Sequence, residues 1–280
     1  MDLSDFTLCA FADEAGADIH DQIKALNDNQ IPCLEVRSVG DRNITQLTVQ
    51  QAKELKEQLK ENGIHIWSIG SPIGKIGIKD DFTPHLDLFK HTLDLALATE
   101  ADCIRLFSFY LPKGKGAALY RDEVTERLSR FCEAAKGSNV FLCHENEKGI
   151  YGDIASRCFE IHKLIPELYA VFDPANFIQC GQDTLEAWEL LAPYVKYMHV
   201  KDARYDGRVV PAGKGEGNLP ELLEKYKSQG GHVLTVEPHL AVFGGLEALE
   251  REDKSVVDPY AYPTRRDAFD AAVSALRSLI

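Results

Sequence analysis

Short apolar runs, many of them rich in β-branched residues, recur along the chain and alternate with longer stretches of helical periodicity. This alternation is typical of a parallel sheet whose strands are joined by crossover helices. The predicted strands cover Phe6–Ala12, Cys33–Arg37, His65–Ile69, Cys103–Phe107, Val140–His144, Tyr169–Phe172, Val195–Val200 and His232–Val236. The predicted helices cover Asp18–Asn29, Val49–Asn62, Pro84–Thr99, Leu119–Ala135, Asp153–Leu164, Thr184–Leu191, Leu219–Gln229 and Thr264–Leu279.

Strands and helices in equal number and strict alternation predict a (β/α)8 TIM barrel of the α/β class, whereas an open doubly wound sheet usually stops at five or six strands. A length of 280 residues suits one such barrel, so we expect a single domain over residues 1–280. The connection between the last strand and the last helix, residues 240–263, is predicted to be an irregular excursion.

Composition narrows the class of protein. Apolar stretches long enough to span a membrane are absent, and the acidic N-terminus does not resemble a secretory signal, so a cytoplasmic location is expected. The seven cysteines form no CxxC pair and fall mostly in apolar runs, which predicts reduced, buried thiols. A formal net charge of −13 disfavours a nucleic-acid partner, because phosphates are neutralised by Lys and Arg.

Chemistry-bearing side chains terminate four consecutive predicted strands. They are Glu145 in CHEN, Asp173 in FDPAN, His199 in MHVKD and Glu237 in VEPH. The functional residues of such barrels lie at the carboxyl ends of the strands, so these four are expected on one rim.

Three carboxylates on one rim would repel each other and raise each other's pKa values, and a divalent cation removes that conflict. Oxygen donors with one imidazole suit Mn²⁺ or Mg²⁺ best, with Co²⁺ or Zn²⁺ also compatible. The alternative is that each acid simply pairs with a Lys or Arg at its strand end.

These four motifs resemble, in order and spacing, the metal-ligand motifs of the xylose-isomerase-like barrel superfamily of sugar and sugar-phosphate isomerases and epimerases. The resemblance covers nearly the whole chain. It implies that Glu145, Asp173, His199 and Glu237 bind the metal and that the substrate is a small ketose or ketose phosphate.

The resemblance also implies a catalytic role for the two glutamates. A metal ion bound to the carbonyl and the adjacent hydroxyl of a ketose stabilises the enediolate that forms when a carbon-bound proton is removed. Glu145 and Glu237 are expected on opposite faces of the sugar, where one removes the proton and the other returns it. Return to the same carbon gives epimerisation, and return to the neighbouring carbon gives isomerisation.

Asn176 departs from one branch of the family. Many ketose 3-epimerases carry a substrate-binding His three residues after the Asp ligand, where this chain has Asn176. An asparagine there is similar to the pentulose-phosphate epimerase branch, so Asn176 is predicted to contact the substrate through hydrogen bonds.

Further substrate contacts are predicted on the same rim. Ser71 and Lys75 follow the third strand, and His239 follows Glu237 by two residues. Arg105, inside the fourth strand, is expected either to contact substrate or to form a buried ion pair with a carboxylate such as that of Glu35.

The loop after the seventh strand, KDARYDGRVVPAGKGEGN, is basic and glycine-rich. Phosphate sites of barrels often lie in the loops after strands seven and eight. Lys201, Lys214 and nearby backbone amides are therefore candidates for holding a sugar phosphate, and a solvated flexible loop is the alternative.

Other functions stay open on the same scaffold. An inosose-type dehydratase would expel a hydroxyl from the same enediolate, and a non-catalytic barrel would bind a sugar without turnover. An abasic-site endonuclease fits less well, because it needs more histidine ligands at the rim. It must also bind nucleic acid, which the net negative charge disfavours. A small-molecule partner is expected, and homo-oligomerisation stays open.

Overall fold

The structure is a computed structural model, and it describes residues 5–243, 256 and 261–280. Eight strands form a closed barrel in which every neighbouring pair is parallel. Neighbours in the barrel are neighbours in sequence, and the last strand closes onto the first. The predicted (β/α)8 barrel is confirmed.

The barrel strands are β1 (Thr7–Ala10), β2 (Cys33–Val36), β3 (His65–Gly70), β4 (Cys103–Leu106), β5 (Phe141–Glu145), β6 (Tyr169–Phe172), β7 (Val195–Val200) and β8 (Val233–Val236). Their bounds agree with the predicted ones to within two residues, and those of β6 and β7 agree fully. The agreement reflects buried parallel strands, which read as nearly continuous apolar runs.

The helices of the described chain are α1 (Ile19–Asp28), α2 (Val49–Glu61), α3 (Phe82–Thr99), α4 (Arg121–Ala135), α5 (Ala155–Leu164), α6 (Pro174–Gln179), α7 (Thr184–Leu191), α8 (Leu219–Ser228) and α9 (Arg265–Arg277). The short α6 is not among the predicted helices. Its signal is Asp173 at the N-cap followed by Pro174 at the first helical position, a combination that favours a helix start.

The barrel interior is built in layers because alternate residues of each strand point inward. One layer is an apolar cluster formed by Cys9, Cys33, Cys103, Cys143, Val171, Tyr197 and Val233. All seven cysteines are free, and six of them are buried. Two residues further along the same strands the inward positions are polar on every one of these strands except β1, where Phe11 follows, so this apolar layer lies directly below the charged groups of the rim.

The outward-facing strand residues pack against the helices in one large hydrophobic core, which includes Leu34, Ile104, Leu142, Phe172 and Leu234. Small two-stranded sheets, Ser38–Val39 with Arg42–Asn43 and Asp202–Ala203 with Val209–Val210, decorate the rim after β2 and β7. Within the described residues no helix is long and apolar enough to cross a membrane. Most of the predicted excursion at 240–263 lies outside the described residues.

Two buried histidines predict how stability depends on pH. His85 Nε2 accepts a hydrogen bond from the backbone N–H of Gly74 at 2.7 Å, so the ring must be neutral. Burial, with a contribution from Arg127, lowers the pKa of His85 to about 4, and burial lowers the pKa of His162 to about 4.

Between pH about 6.5 and about 4 the unfolded chain protonates these rings while the folded chain does not. The free energy of unfolding should therefore fall as the pH falls, by at most about 3 kcal/mol per histidine. Urea unfolding at several pH values measures the slope. His85→Gln keeps an acceptor but cannot ionise, so it should flatten the slope; an unchanged slope would contradict this assignment.

Candidate metal centre

The structure brings the four strand-end residues together at the mouth of the barrel. Glu145 ends β5, Asp173 directly follows β6, His199 lies in β7 and Glu237 directly follows β8. One potential ligand atom from each lies within 4.8 Å of the others, and all four residues are buried. The His199 Nδ1 atom is 3.2 Å from Glu145 Oε1, 3.4 Å from Glu237 Oε2 and 4.0 Å from Asp173 Oδ2.

The Nε2 atom of His199 contacts a further carboxylate, which fixes the orientation of the ring. His199 Nε2 lies 3.2 Å from Glu35 Oε2, and Glu35 Oε1 accepts a hydrogen bond from the Tyr197 hydroxyl at 2.9 Å. Glu35 thus accepts the Nε2 proton, so Nδ1 is the ring nitrogen that faces the carboxylates and would bind a metal ion once its own proton is displaced. Burial alone would raise the pKa of Glu35, but His199 and Arg105 outweigh it and the pKa is lowered.

The residues fit a divalent cation. Glu145 Oε2 and Asp173 Oδ2 are buried and accept no hydrogen bond of regular geometry from the described residues, although Arg105 and Lys201 lie within ion-pair distance of them. Buried charged oxygens are costly unless they are paired or bound to a metal. Three carboxylates and an imidazole whose Nδ1 faces them form a buried group that can bind a divalent metal ion.

Lys201 is a cation within this group. Its Nζ lies 2.8 Å from Asp173 Oδ2 and 2.9 Å from Glu237 Oε2, the same oxygens that face His199. Burial would lower the pKa of Lys201, but the attraction of Asp173 and Glu237 outweighs burial and raises it. Burial also raises the pKa of Asp173 to about 7, against the opposing effect of Lys201.

Each of the two glutamates has an arginine beside it. Arg105 Nη1 lies 3.1 Å from Glu145 Oε2, and Arg37 Nη1 lies 3.6 Å from Glu237 Oε1. Both guanidinium groups stack on the ring of Phe11, at 4.6 Å for Arg37 and 5.2 Å for Arg105. Arg105 thus forms a buried ion pair, but with Glu145, because Glu35 is engaged by His199 and Tyr197.

Sequence reasoning missed Arg37 and its two acidic partners. Arg37 donates to both carboxylate oxygens of Asp13 at 2.9 Å and to Glu14 Oε1 at 3.1 Å. All three residues follow the apolar runs of β1 and β2, in FADE and LEVR. The signal that predicts these three residues is the same one that predicts the metal ligands: each is a charged residue just beyond a strand.

Five of the predicted substrate contacts line the cavity above the four ligand candidates: Lys75, Arg105, Asn176, Lys201 and His239. Arg37 and Glu147 line it as well. The Asn176 side chain donates hydrogen bonds to Glu145 Oε1 at 3.2 Å and to the Asn146 carbonyl at 2.9 Å, so it also holds Glu145 in place.

His239 belongs to a second acidic group. Its Nε2 lies 3.4 Å from Glu14 Oε1 and 3.4 Å from Glu237 Oε1. This group already contains a cation, because Arg37 contacts both glutamates. Burial lowers the pKa of His239 well below its ordinary value.

Ser71 and Lys214 do not line the cavity. The buried Ser71 hydroxyl donates to the Arg105 carbonyl and accepts from the Ile73 amide, so it shapes the turn after β3. Lys214 is exposed. The loop after β7 was predicted to offer backbone amides to a phosphate. Those of Gly213, Gly215 and Gly217 already donate hydrogen bonds within the chain.

The acceptor of these amide hydrogen bonds is the carboxylate of Asp202. It accepts hydrogen bonds from the backbone amides of Gly213, Gly215 and Gly217 at 2.9 to 3.0 Å. A Cβ atom on Gly215 would lie 2.4 Å from Asp202 Oδ1, so glycine is required there for the loop to close around the carboxylate. The glycines of this loop serve Asp202.

Comparisons with known proteins agree with this geometry. The family described as "Xylose isomerase-like TIM barrel" matches residues 23–256. None of the curated protein sequences matches the chain.

Solved structures with the same fold have little sequence in common with the chain. An IOLI protein with a binding zinc atom is 12% identical, with a TM-score of 0.76, 98% of this chain and 97% of that chain covered. The probable 3-DHS dehydratase AsbF of Bacillus anthracis is 17% identical, with a TM-score of 0.73 and coverage of 97% and 98%. A D-psicose 3-epimerase of Clostridium cellulolyticum H10 is 15% identical, with a TM-score of 0.74 and coverage of 98% of both chains.

Metal binding should release protons and tighten as the pH rises. Burial would lower the pKa of His199, but Glu145 and Glu35 outweigh it and raise it well above its ordinary value, while that of Asp173 is about 7. A metal ion must displace these protons, so affinity should fall as the pH is lowered through 7. Calorimetry of Mn²⁺ binding in buffers of different ionisation enthalpy should give about one to two protons released; a count of zero would contradict the ligand assignment.

Lys201→Met should increase the affinity for Mn²⁺ by about tenfold or more, because it removes a positive charge that contacts two ligand oxygens. The metal-free variant should unfold at a lower temperature, since Asp173 and Glu237 lose their counter-ion. The exposed Lys53→Met on α2 is the control. Weaker metal binding by Lys201→Met would contradict this competition.

Proposed function

The chain belongs to the xylose isomerase-like TIM barrel family, and from that premise we propose that it is a divalent-metal-dependent isomerase or epimerase of a small ketose or ketose phosphate. The observation that carries the proposal is the buried group of Glu145, Asp173, His199 and Glu237 at the mouth of the barrel. Mn²⁺ or Mg²⁺ suits its oxygen-rich donor set.

The bound ion would supply the Lewis acidity that stabilises negative charge developing on the substrate oxygens. The chain's own residues position the two glutamates that would hold the ion. Arg105 and Asn176 contact Glu145, while Arg37 and Lys201 contact Glu237. Preorganised carboxylates of this kind lose little free energy on reorientation during proton transfer.

Glu145 and Glu237 are suited to act on opposite faces of a sugar, because β5 and β8 are separated by two strands around the rim. In this scheme one carboxylate accepts a proton from a carbon next to the carbonyl, and the other donates a proton back. The two arginines have different additional partners. Arg37 also donates hydrogen bonds to Asp13 and Glu14, whereas Arg105 donates one to the Ser71 carbonyl.

A dehydratase of a related polyhydroxy ketone is the second candidate. The observation that favours it is the buried ammonium group of Lys201, which lines the cavity and can donate a proton to a departing hydroxyl. The same barrel fold occurs in a probable 3-DHS dehydratase. Loss of water from the product, seen by mass spectrometry, separates the two reactions.

Glu145→Gln and Glu237→Gln should each slow deuterium incorporation from heavy water into a substrate ketose by about 10²-fold or more, because each removes one proton-transfer group. Exchange is followed by NMR at saturating Mn²⁺, with the bound metal measured on the same samples. The exposed Glu61→Gln on α2 is the control.

Measuring the bound metal separates a loss of proton transfer from a loss of metal binding. A loss of exchange that full metal loading restores would assign the glutamate to metal binding alone. Unchanged exchange in both metal-loaded variants would contradict the two-glutamate scheme.

A further inference from the structure

We propose, on the basis of the proposed function, that the substrate is a free polyhydroxy ketone and not a phosphate ester, and that the Lys75–Glu147 ion pair makes this selection. The pair lines the cavity together with two of the metal-ligand candidates, Glu145 and Glu237. Lys75 follows β3, and Glu147 follows β5.

Both members of the pair are largely buried and have further contacts beside the cavity. Lys75 Nζ lies 3.2 Å from Glu147 Oε2, and the side chains are only 8% and 14% exposed. Glu147 Oε1 accepts a hydrogen bond from the Lys148 backbone amide at 2.9 Å, and Lys75 Nζ lies 4.3 Å from the centre of the Phe107 ring.

Its position corresponds to the far end of a bound sugar. Glu147 is two residues beyond Glu145, in the loop that follows β5 at the mouth of the barrel. Its side chain is more exposed than that of Glu145, which is 2% exposed. A ketose whose carbonyl end meets the metal group would therefore direct its remaining hydroxyls at this pair.

The charges around the cavity disfavour a phosphate there. Among the described residues that line it, each Lys and Arg already contacts a carboxylate: Arg37 with Asp13 and Glu14, Lys75 with Glu147, Arg105 with Glu145, and Lys201 with Asp173 and Glu237. A phosphate beside Lys75 would lie next to the Glu147 carboxylate as well, and like charges in a desolvated site are costly.

The other candidate phosphate site is occupied by the chain itself. The amides of the loop after β7 donate to Asp202, and Lys214 is exposed to solvent outside the cavity. A hydroxyl, by contrast, suits the ion pair well, because it can donate to Glu147 and accept from Lys75 at the same time.

The test compares D-ribulose with D-ribulose 5-phosphate, and D-fructose with D-fructose 6-phosphate, on the Mn²⁺-loaded protein. Calorimetry measures binding, and NMR measures deuterium exchange from heavy water. The wild-type protein should bind and exchange each free ketose at least about tenfold better than its phosphate ester.

Two variants of the ion pair should change this ratio in opposite directions. Glu147→Gln removes the negative charge beside Lys75, so it should shift the ratio toward the phosphate ester by about tenfold. Lys75→Met removes the positive charge beside Glu147 and should shift the ratio further toward the free ketose. Glu147→Gln keeps an acceptor for the Lys148 amide, so its turn should be preserved.

Binding and exchange decide different questions. Tighter binding of the phosphate esters by the wild-type protein, or equal ratios in all three proteins, would overturn the inference, whatever the exchange shows. Binding of free ketoses without exchange would leave the inference standing and count against the proposed isomerase.

Discussion

Burial of several carboxylates at one end of the barrel is the constraint on which the rest of the site depends. Glu35, Glu145, Asp173 and Glu237 are each at most 3% exposed. Because buried anions cannot rely on water, every one of them is matched by a neighbouring charge or a hydrogen-bond donor. Arg37, Arg105, Lys201 and His199 supply these partners, and a divalent ion would complete the balance.

The layers below the rim make this concentration of charge tolerable. Cysteine, valine and tyrosine side chains fill the barrel just beneath the site and keep it rigid. Both arginines stack on the ring of Phe11, which helps to hold their guanidinium groups beside the two glutamates. A site assembled on strands in this way keeps its geometry before any metal or substrate arrives.

Much of the fold was readable from the sequence because buried parallel strands and amphipathic helices leave clear patterns. The four ligand candidates were also readable, since each ends an apolar run. The ion-pair and hydrogen-bond partners of these side chains could not be predicted from the sequence. For Arg105 the sequence left open a substrate contact or an ion pair with a carboxylate such as that of Glu35, and the structure pairs it with Glu145. The glycine loop closes around Asp202. Neither pairing follows from a local pattern, because each depends on how the folded chain brings its segments together.

The sequence by itself determined the number and order of the strands and the side chains that reach the barrel mouth, because both depend on local periodicity. Only the tertiary structure decided which charges meet there. Lys201 lies between Asp173 and Glu237, and Glu147 faces Lys75 across the cavity. Those distances follow from how the closed barrel brings its strand ends together, which no local pattern records.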